Sequence, residues 1–514
     1  MKATIQRWAP RLGAALAMLA TVGHGADIWA AGQGYAFRGE QAPQIQPNGL
    51  ASALQQRLKA LQAELFVRSQ RASLQQALEQ SLLQNPELAR SYALIQQSQW
   101  SLIAIRRQWY PTLSAAGVGP AGGLWGYGGS RTRVSATTAA GSVDEQRFEE
   151  SSRLAARLNL GWTFFDPSRG AQINAASETL RSQELLFNVA ARNLALKTQL
   201  AYFNLQEQEQ LIASYERILE ATTNQLNRVE ALFNIGNASI ADVEQIRTQQ
   251  YQTLSLLITT YQDIVDAAAS LAEAMSLAPG QLVLPADKLD RYGQWDTPFT
   301  TTIEQALTLR EEIRSSLALA DSASWRASAL FNRYWPRFGF AATGLYDDGT
   351  IRAGLVGVAD PDRTSATTWD GAVGIGFNWE IFDGGIAAAE ASAQKALARQ
   401  QSDQAAAQRL QVSAEVERSY AAYEASLLAL QSSDEQARSA EKAAIAVRER
   451  FNVGYADITS VVQTLNQAIT ATNAYARSIR DYNSAVAGLY RASARWPDHT
   501  LALRNQRVQT LKQR

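Results

Sequence analysis

The sequence predicts an α+β membrane protein made of two internal repeats, in which long helical hairpins continue from pairs of β-strands. Three observations lead to this fold class. Proline is absent from two long windows, 168–278 and 362–496. A short glycine-containing turn occurs at equivalent places in both windows, and alternating apolar segments with aromatic residues at their ends accompany each long helix.

The two windows are predicted to be mostly helical. They are rich in Ala, Gln, Glu and Arg and repeat apolar residues at helical spacing, which favours helix. The helices are broken only by turns at 233–239 and 451–457. About 65 residues precede each turn and about 40 follow it, so at 1.5 Å per residue the two arms would be roughly 100 Å and 60 Å long. Such lengths suit spanning a compartment better than packing a globule.

Both turns carry the residues of a helical hairpin tip. Gly236 and Gly454 suit a left-handed C-terminal cap, and Ser239 and Asp457 suit the N-cap of the returning helix. Ser239 with Asp242 forms a capping-box pattern. For Asp242 and Asp457, a capping role alone and a role in a pore stay equally open.

A shorter pair of helices precedes the strands in each repeat. Residues 73–111 align with residues 301–336, with Pro111 opposite Pro336. The gap needed is about one helical turn, which keeps the helix faces in phase. Duplication therefore covers nearly the whole mature chain.

Between the short and the long helices, the apolar period changes from 3.6 to 2. In segments 152–166 and 369–383, one face is apolar and the other is small or polar. Weaker partners follow Pro111 and Pro336. Two hairpins with four strands are predicted.

Gly-, Ser- and Thr-rich segments at 125–150 and 347–367 are predicted to be water-facing loops that join the strands. Aromatic residues mark both strand ends. Those predicted at the membrane interface on the helix side are Trp109, Tyr110, Trp162, Phe165, Tyr334, Trp335, Trp379 and Phe382. Alternating segments of about ten residues between aromatic girdles are typical of outer-membrane strands. A single such strand would be interpreted as part of a soluble β-sandwich. Four such strands, together with the N-terminal export signal described below, favour strands that lie in the outer membrane.

Four strands cannot close a membrane barrel, and an open sheet edge is not stable in lipid. Several chains must therefore share one barrel. Three copies give twelve strands, an even number within the known range, with the long helices bundled beneath. A trimer is the simplest closure, and four copies stay an alternative.

Composition argues against several classes of function. Lys plus Arg and Asp plus Glu are both 48, so charge indicates no nucleic-acid partner. The chain has no Cys, and its histidines are His24 and His499, which leaves almost no side chain for nucleophilic, imidazole or metal chemistry. We expect no enzyme activity, cofactor or metal site. Paired carboxylates stay a possibility, while a barrel enzyme would lack a credible Ser–His pair.

The N-terminus reads as a secretory signal peptide at 1–25. Lys2, Arg7 and Arg11 surround the start of an apolar run at 12–22, and small residues follow it. A buried amphipathic helix is the alternative for this run. An extension at 26–72 follows, with an amphipathic or coiled-coil helix predicted at 49–70. Repeat 1 spans 73–280 and contains β-hairpin 112–165, and after a linker at 281–300, repeat 2 spans 301–496 and contains β-hairpin 337–382. A solvated polar, basic tail is predicted at 497–514.

Over roughly residues 70 to 496 the sequence resembles the TolC-like outer-membrane efflux protein family. The resemblance rests on the duplication, the junctions "WTFFDPSRG" and "WEIFDGG", and the tips "FNIGNASIADV" and "FNVGYADITSVV". It implies a homotrimer whose twelve-stranded outer-membrane β-barrel continues into a periplasmic α-barrel. Such a duct performs no chemistry. It receives substrate from an inner-membrane transporter, either ABC-type or proton-driven, through a periplasmic adaptor protein, and rearrangement of the helix tips opens it.

The resemblance also assigns roles to residues. The positions that match the adaptor-binding tips are Asn234, Ile235, Gly236, Asn237, Ala238, Asn452, Val453, Gly454, Tyr455 and Ala456. The positions of the periplasmic gate and pore are Asp242, Phe451, Asp457, Ser460 and Gln463. Asp242 matches a gate aspartate of the family, but Phe451 and Ala456 replace its usual aromatic hydroxyl and Arg partners. Ser460 and Gln463 replace an acidic ring.

The predicted function is an exit duct for small-molecule efflux or for protein secretion. The absence of Cys rules out a lipid on an N-terminal Cys, which favours type I secretion or a general duct. The alternative is a soluble periplasmic coiled-coil scaffold without a pore. That alternative requires the four strands to be something other than membrane strands.

Overall fold

We analysed the chain in a computed structural model that describes residues 49–138, 141–356, 358, 361–497 and 499–513. The chain divides into two compact units, residues 1–56 and 57–514. Of the first unit only residues 49–56 are described, and residues 50–56 are helical. The predicted signal peptide lies outside the described residues. Apart from the first residues of the helix that begins at Leu50, everything that follows concerns the second unit.

The described residues form ten α-helices and seven strands. The helices are α1 (Leu50–Arg68), α2 (Leu74–Gln84), α3 (Pro86–Arg107), α4 (Pro167–Asn234), α5 (Ile240–Met275), α6 (Phe299–Leu309), α7 (Glu311–Phe331), α8 (Ile386–Asn452), α9 (Ile458–Ala492) and α10 (Thr500–Gln513). The strands are β1 (Ser69–Ala72), β2 (Thr112–Gly117), β3 (Trp125–Thr138), β4 (Gly141–Phe165), β5 (Leu282–Pro285), β6 (Arg337–Leu355) and β7 (Asp362–Asn378). Within these residues, no helix combines the length and apolar character needed to span a membrane.

The main sheet is antiparallel, with the order β2–β4–β6–β7, and β3 continues along the same edge of β4 as β2. Cross-strand partners share a face of a sheet. On β4, Leu158, Leu160 and Trp162 lie on one face, called here the apolar face. Arg157, Asn159 and Gly161, with Leu345, Thr343 and Ala341 opposite them, lie on the other, called here the small-residue face. The sheet therefore has four strand positions with two unlike faces, as predicted, but the first position is divided into β2 and β3.

The strands are longer than predicted. The segments 125–150 and 347–367 were expected to be loops, but β3 and β4 pair from Thr138 and Gly141 onward, and β6 and β7 from Ala353 and Asp362. Thr and Val in these segments favour extended backbone, and the ladder hydrogen bonds continue although both faces are polar. At the other end, β7 ends at Asn378 rather than at 382.

The helix order repeats the strand order. Helix α3 leads into β2, β4 into α4, α7 into β6, and β7 into α8, and the neighbouring pairs α3–α4, α4–α7 and α7–α8 pack together. The wall of the sheet therefore continues as a wall of helices. Beyond it, α4 pairs with α5 and α8 with α9, while α9 also packs against α4.

The long helices begin at well-formed caps. Asp166 accepts a hydrogen bond from the Ser168 N–H at 2.9 Å, and Pro167 occupies the first turn of α4. Before α8, Asp383 accepts from the Gly385 N–H at 2.8 Å and the Ala387 N–H at 2.7 Å. The two repeats therefore start their long helices with the equivalent aspartate.

A two-stranded parallel sheet, β1 with β5, lies halfway along the helices. It was not predicted, and it takes part of the segment 281–300 that was expected to be a linker. The hydroxyl of buried Tyr202 donates to the Ala72 carbonyl at 3.1 Å and to Asp287 at 2.8 Å. Burial, followed by the hydrogen bond to Asp287, raises the pKa of Tyr202 well above its ordinary value. This contact ties the small sheet to α4.

The C-terminal segment is not a solvated tail. It forms α10, whose Leu511 is buried with Leu82, Leu88 and Phe187. The Arg507 side chain is also buried and donates to the Asn85 carbonyl at 3.4 Å. The expectation failed because the packing of this short helix depends on a few long side chains and a distant partner surface.

Six buried or half-buried charged side chains form a network in the helical wall, called here the charge cluster. Its members are Arg192, Arg310, Glu311, Glu312, Glu415 and Arg491. Glu311 and Glu312 lie in the first turn of α7, where the helix dipole favours negative charge. Arg310 donates to the Ala492 carbonyl at the end of α9 at 3.1 Å, where the dipole favours positive charge. The cluster joins α4, α7, α8 and α9.

Candidate functional site

Both helical hairpin tips close in the same way. The Gly236 N–H donates to the Phe233 carbonyl at 2.9 Å, and the next N–H donates to the Leu232 carbonyl at 2.8 Å. In the second tip the Gly454 N–H donates to Phe451 at 3.0 Å, followed by the equivalent second bond. The glycines have φ of +79° and +83°, the left-handed region of a Schellman cap. The predicted glycine caps are confirmed.

The returning helices begin with the predicted carboxylates. Asp242 accepts hydrogen bonds from the Ser239 N–H and hydroxyl, both at 2.7 Å, while the Ser239 hydroxyl accepts from the Asp242 N–H. Asp457 accepts from the Ser460 N–H at 2.7 Å, and this bond lowers the pKa of Asp457. Both aspartates therefore cap helices. Any additional role in a pore stays a prediction.

The tips rest on a small apolar core. Val229, Ile246, Ile458 and Val461 are buried in it, and the half-buried Phe451 packs against it. Phe451 thus contributes apolar contact between the hairpins. The two helical hairpins therefore pack against each other through this apolar core near their tips.

One polar link joins the first hairpin to the second tip. Arg228 on α4 donates to the Asn452 carbonyl at 3.1 Å. The sequence did not predict this contact, because neither residue belongs to a motif and the pairing depends on how the hairpins pack. Ser460 is half-buried, Gln463 is exposed, and both side chains are neutral. That they stand where an acidic ring would lie stays a prediction.

The tips present apolar side chains to solvent. Ile235 is 69% exposed in the first tip, and Val453 and Tyr455 are 67% and 85% exposed in the second. Asn234, Gly236, Asn237 and Gly454 are also exposed, while Ala238, Asn452 and Ala456 are half-buried. Large exposed apolar residues at a turn are typical of a surface that binds a partner.

The two junctions between sheet and helices share a hydrogen bond. The Trp162 indole N–H donates to the Trp109 carbonyl at 2.8 Å, and the Trp379 indole donates to the Tyr334 carbonyl at 2.9 Å. These are equivalent residues of the two repeats. In the first repeat, the Arg169 guanidinium also lies 4.5 Å from the centre of the Trp109 ring.

The aromatic residues predicted for the membrane interface collect at this junction. Exposed members are Trp109, Tyr110, Trp162, Phe165, Trp335, Trp379 and Phe382, and Tyr334 is half-buried. A tryptophan that uses its N–H within the protein and exposes its ring suits the boundary between lipid and water. Their depth in a membrane stays a prediction.

A comparison with protein families identifies the chain. The family described as outer membrane efflux protein matches residues 77–276 and 302–495. The match covers most of the chain, and its two segments fall on the two repeats. The chain belongs to this family.

Solved outer-membrane channels have the same fold. The CmeC outer membrane channel of Campylobacter jejuni superposes with a TM-score of 0.64 at 14% identity, covering 85% of this chain and 89% of that one. The MtrE outer membrane channel of Neisseria gonorrhoeae gives 0.61 at 16% identity, covering 82% and 89%. VceC, an outer membrane protein of Vibrio cholerae, gives 0.61 at 15%, covering 82% and 95%. No curated protein is significantly similar to the chain in sequence.

Family and fold together define an exit duct of the outer membrane with its helical part in the periplasm. The resemblance drawn from the junction and tip motifs is confirmed. The alternative of a soluble periplasmic scaffold gains no support. Families of this kind work with transport partners, which neither the fold nor the family specifies further.

Proposed function

We propose that three copies of the chain form one twelve-stranded barrel and act as the exit duct of a tripartite transport complex. The observation that carries this proposal is the open sheet: within the described residues, β7 and the β2/β3 edge pair on one side only. A membrane sheet needs every edge paired. Joining β7 of one copy to β2 and β3 of the next closes the sheet with an even strand number.

The exposure of α8 supports the same assembly. Helix α8 and helix α4 are nearly equal in length, yet α8 buries far fewer side chains. Leu410, Leu428 and Ile445 on α8 are 76%, 67% and 46% exposed. Because α8 follows the edge strand β7, a neighbouring copy that pairs with β7 also covers these residues. A head-to-tail contact of this kind generates a closed ring when its rotation closes, as a barrel requires.

The tips supply the docking surface for a periplasmic adaptor. Three copies present six similar tips, each with a left-handed glycine and exposed apolar side chains such as Ile235 and Tyr455. The adaptor connects the duct to an inner-membrane transporter, ABC-type or proton-driven, which supplies energy for small-molecule efflux or type I protein secretion. Opening separates the tips, and the Arg228–Asn452 link is one contact that must break.

An export assay tests the tip. The double variant Gly236→Arg/Gly454→Arg places a long charged side chain at each tip, where no other atom lies within 4 Å of an added Cβ. We expect export to be lost while the trimer and its insertion stay intact. Gly384→Arg is the matched control, because Gly384 also has a left-handed φ of +70° and open space but lies at the membrane end of α8. Normal export by the double variant would remove the tip from the mechanism.

A further inference from the structure

The first strand of the first hairpin is interrupted where it passes Ala155 on β4. The Val118 N–H donates to the Ala155 carbonyl at 2.9 Å, and the Ala155 N–H donates to the Leu124 carbonyl at 2.9 Å. In a regular antiparallel pair one residue would make both bonds. Here residues 119–123 leave the sheet between them. We call residues 118–124 the strand excursion.

The excursion folds over the small-residue face. Gly126 and Gly128 pair with Arg153 and Ser151 on β4, and odd-numbered β4 residues lie on that face. A Cβ on Gly126 would lie 3.0 Å from the Pro120 Cβ, and one on Gly128 would lie 3.6 Å from it. Pro120 therefore sits over the small-residue face of β3.

The burial of Ala155 also indicates that the excursion lies over the small-residue face. Ala155 is 0% exposed, although most other residues of the sheet are half-buried or exposed on both faces. Its side chain points to the small-residue face, beside Asp347, which pairs with the Arg153 guanidinium at 2.7 Å. Another segment must therefore lie over Ala155 on that face, and this segment is the excursion.

The excursion is held rather than free. Within it, the Gly119 N–H donates to the Gly123 carbonyl at 2.8 Å, and the Gly122 N–H donates to the Gly119 carbonyl at 3.0 Å. Ala121 and Gly122 have left-handed φ values of +57° and +74°, which close the turn. Glycine at 126 is required, since an added Cβ would meet the Pro120 carbonyl oxygen at 2.9 Å.

The small-residue face is the lumen of a closed barrel, because the opposite face carries the continuous apolar band that suits lipid. Below the excursion, toward the helices, the residues of β6 and β7 on this face are first Leu345 and Asp370, then Thr343 and Ala372, and then Ala341, Gly374, Gly339 and Gly376. The side chains that line this face therefore become small toward the helices. In the second hairpin, β6 and β7 pair from Arg337 to Ala353 without interruption. The excursion is therefore a feature of one hairpin in each copy.

We propose that the strand excursion is a fixed constriction in the outer half of the channel that limits the width of the cargo. It lies at the level of Leu154, Tyr346 and Trp369, the aromatic end of the apolar band away from the helices. Three copies place three excursions around one opening. This inference rests on the proposed trimeric duct.

Access to a cysteine below the excursion provides the test. The chain has no Cys, so Thr343→Cys introduces a single reactive thiol on the exposed lumenal face. Whole cells are treated from outside with a small maleimide or with a bulky polyethylene-glycol maleimide. Deleting residues 119–124 leaves Val118 to make both bonds to Ala155 and restores a regular strand. We expect the small reagent to label Thr343→Cys at the same rate with and without the deletion. The bulky reagent should label Thr343→Cys rapidly only in the protein that carries the deletion.

A milder pair of variants covers the case in which the deletion does not assemble. Gly126→Ala pushes against Pro120 and should increase labelling of Thr343→Cys by the bulky reagent. Gly129→Ala is the matched control, because its Cβ would meet the nearest atom at an ordinary 3.6 Å. Rapid labelling by the bulky reagent with the excursion intact overturns the constriction and leaves the duct standing. If the small reagent never reaches Thr343→Cys in assembled protein, the face is not lumenal, and the barrel itself is wrong.

Discussion

Replacing Arg310 with Met should destabilise the helical wall by about 3 kcal/mol. Arg310 is 4% exposed and its guanidinium contacts Glu312 at 3.1 Å and Glu415 at 2.9 Å, besides the Ala492 carbonyl. Removing one partner of a buried ion pair costs about 3–5 kcal/mol. The lower end applies here, because the carboxylates are 20% and 29% exposed and both keep Arg491 as a partner.

The assay is urea unfolding of the detergent-solubilised protein, followed by far-UV circular dichroism. Arg438→Met is the control, since the Arg438–Asp434 pair is exposed on one helix and should contribute no more than about 0.5 kcal/mol. Arg310→Met/Glu312→Gln should cost less than the sum of its single variants by about 1 kcal/mol, because the excess negative charge is removed. A loss below about 1 kcal/mol for Arg310→Met, or strict additivity, would refute the reasoning.

The charge cluster also predicts acid sensitivity. Burial alone would raise the pKa of Glu312, but the charges of Arg310 and Arg491 and its hydrogen bonds together hold that pKa below its ordinary value of 4.5. A depressed carboxyl pKa contributes stability above the unfolded pKa, and this contribution is lost as the pH falls through the folded pKa. Glu312→Gln should therefore flatten the fall in unfolding free energy at acid pH. An unchanged slope would contradict this assignment.

Three further predictions concern the tips and the C-terminal helix. Because Ser460 and Gln463 are neutral, multivalent cations on the periplasmic side should leave the single-channel current of the native protein nearly unchanged. The variant Ser460→Asp/Gln463→Asp should make the channel sensitive to block by these cations. If the cations block the native channel and no longer block Asp242→Asn, then Asp242 lines the lumen. Gly236→Ala should cost about 1–2 kcal/mol in urea unfolding, because the left-handed conformation disfavours a Cβ; no change would mean that the tip relaxes. Leu511→Ala, which removes a buried side chain from α10, should cost about 2–4 kcal/mol; a neutral effect would mean that α10 does not contribute to stability.

The features that sequence reasoning predicted well are those fixed by local chemistry. The tips follow from a glycine that can adopt positive φ and from side chains such as Ser239 and Asp457 that cap the next helix. The membrane strands follow from an alternation that repeats in both halves. Duplication strengthened both, since a pattern found once is weak and the same pattern at equivalent positions is specific.

The features that it missed depend on residues far apart in the chain. The charge cluster gathers side chains from 192 to 491, and no periodicity or motif connects them. The strands beyond the apolar band were read as loops because alternation disappears when both faces meet water. The strand excursion had a local signal, since Pro120 and its neighbouring glycines disfavour a regular strand, but a single strand was predicted after Pro111.

The most direct test of the account is the mass of the protein purified from outer membranes in detergent. If three open sheets close one barrel, mass photometry or light scattering corrected for detergent should give three chains and no stable monomer. The same preparation should insert into planar bilayers as a channel. A monodisperse monomer that stays in solution without detergent would contradict the shared barrel, and with it the account of the open sheet edges.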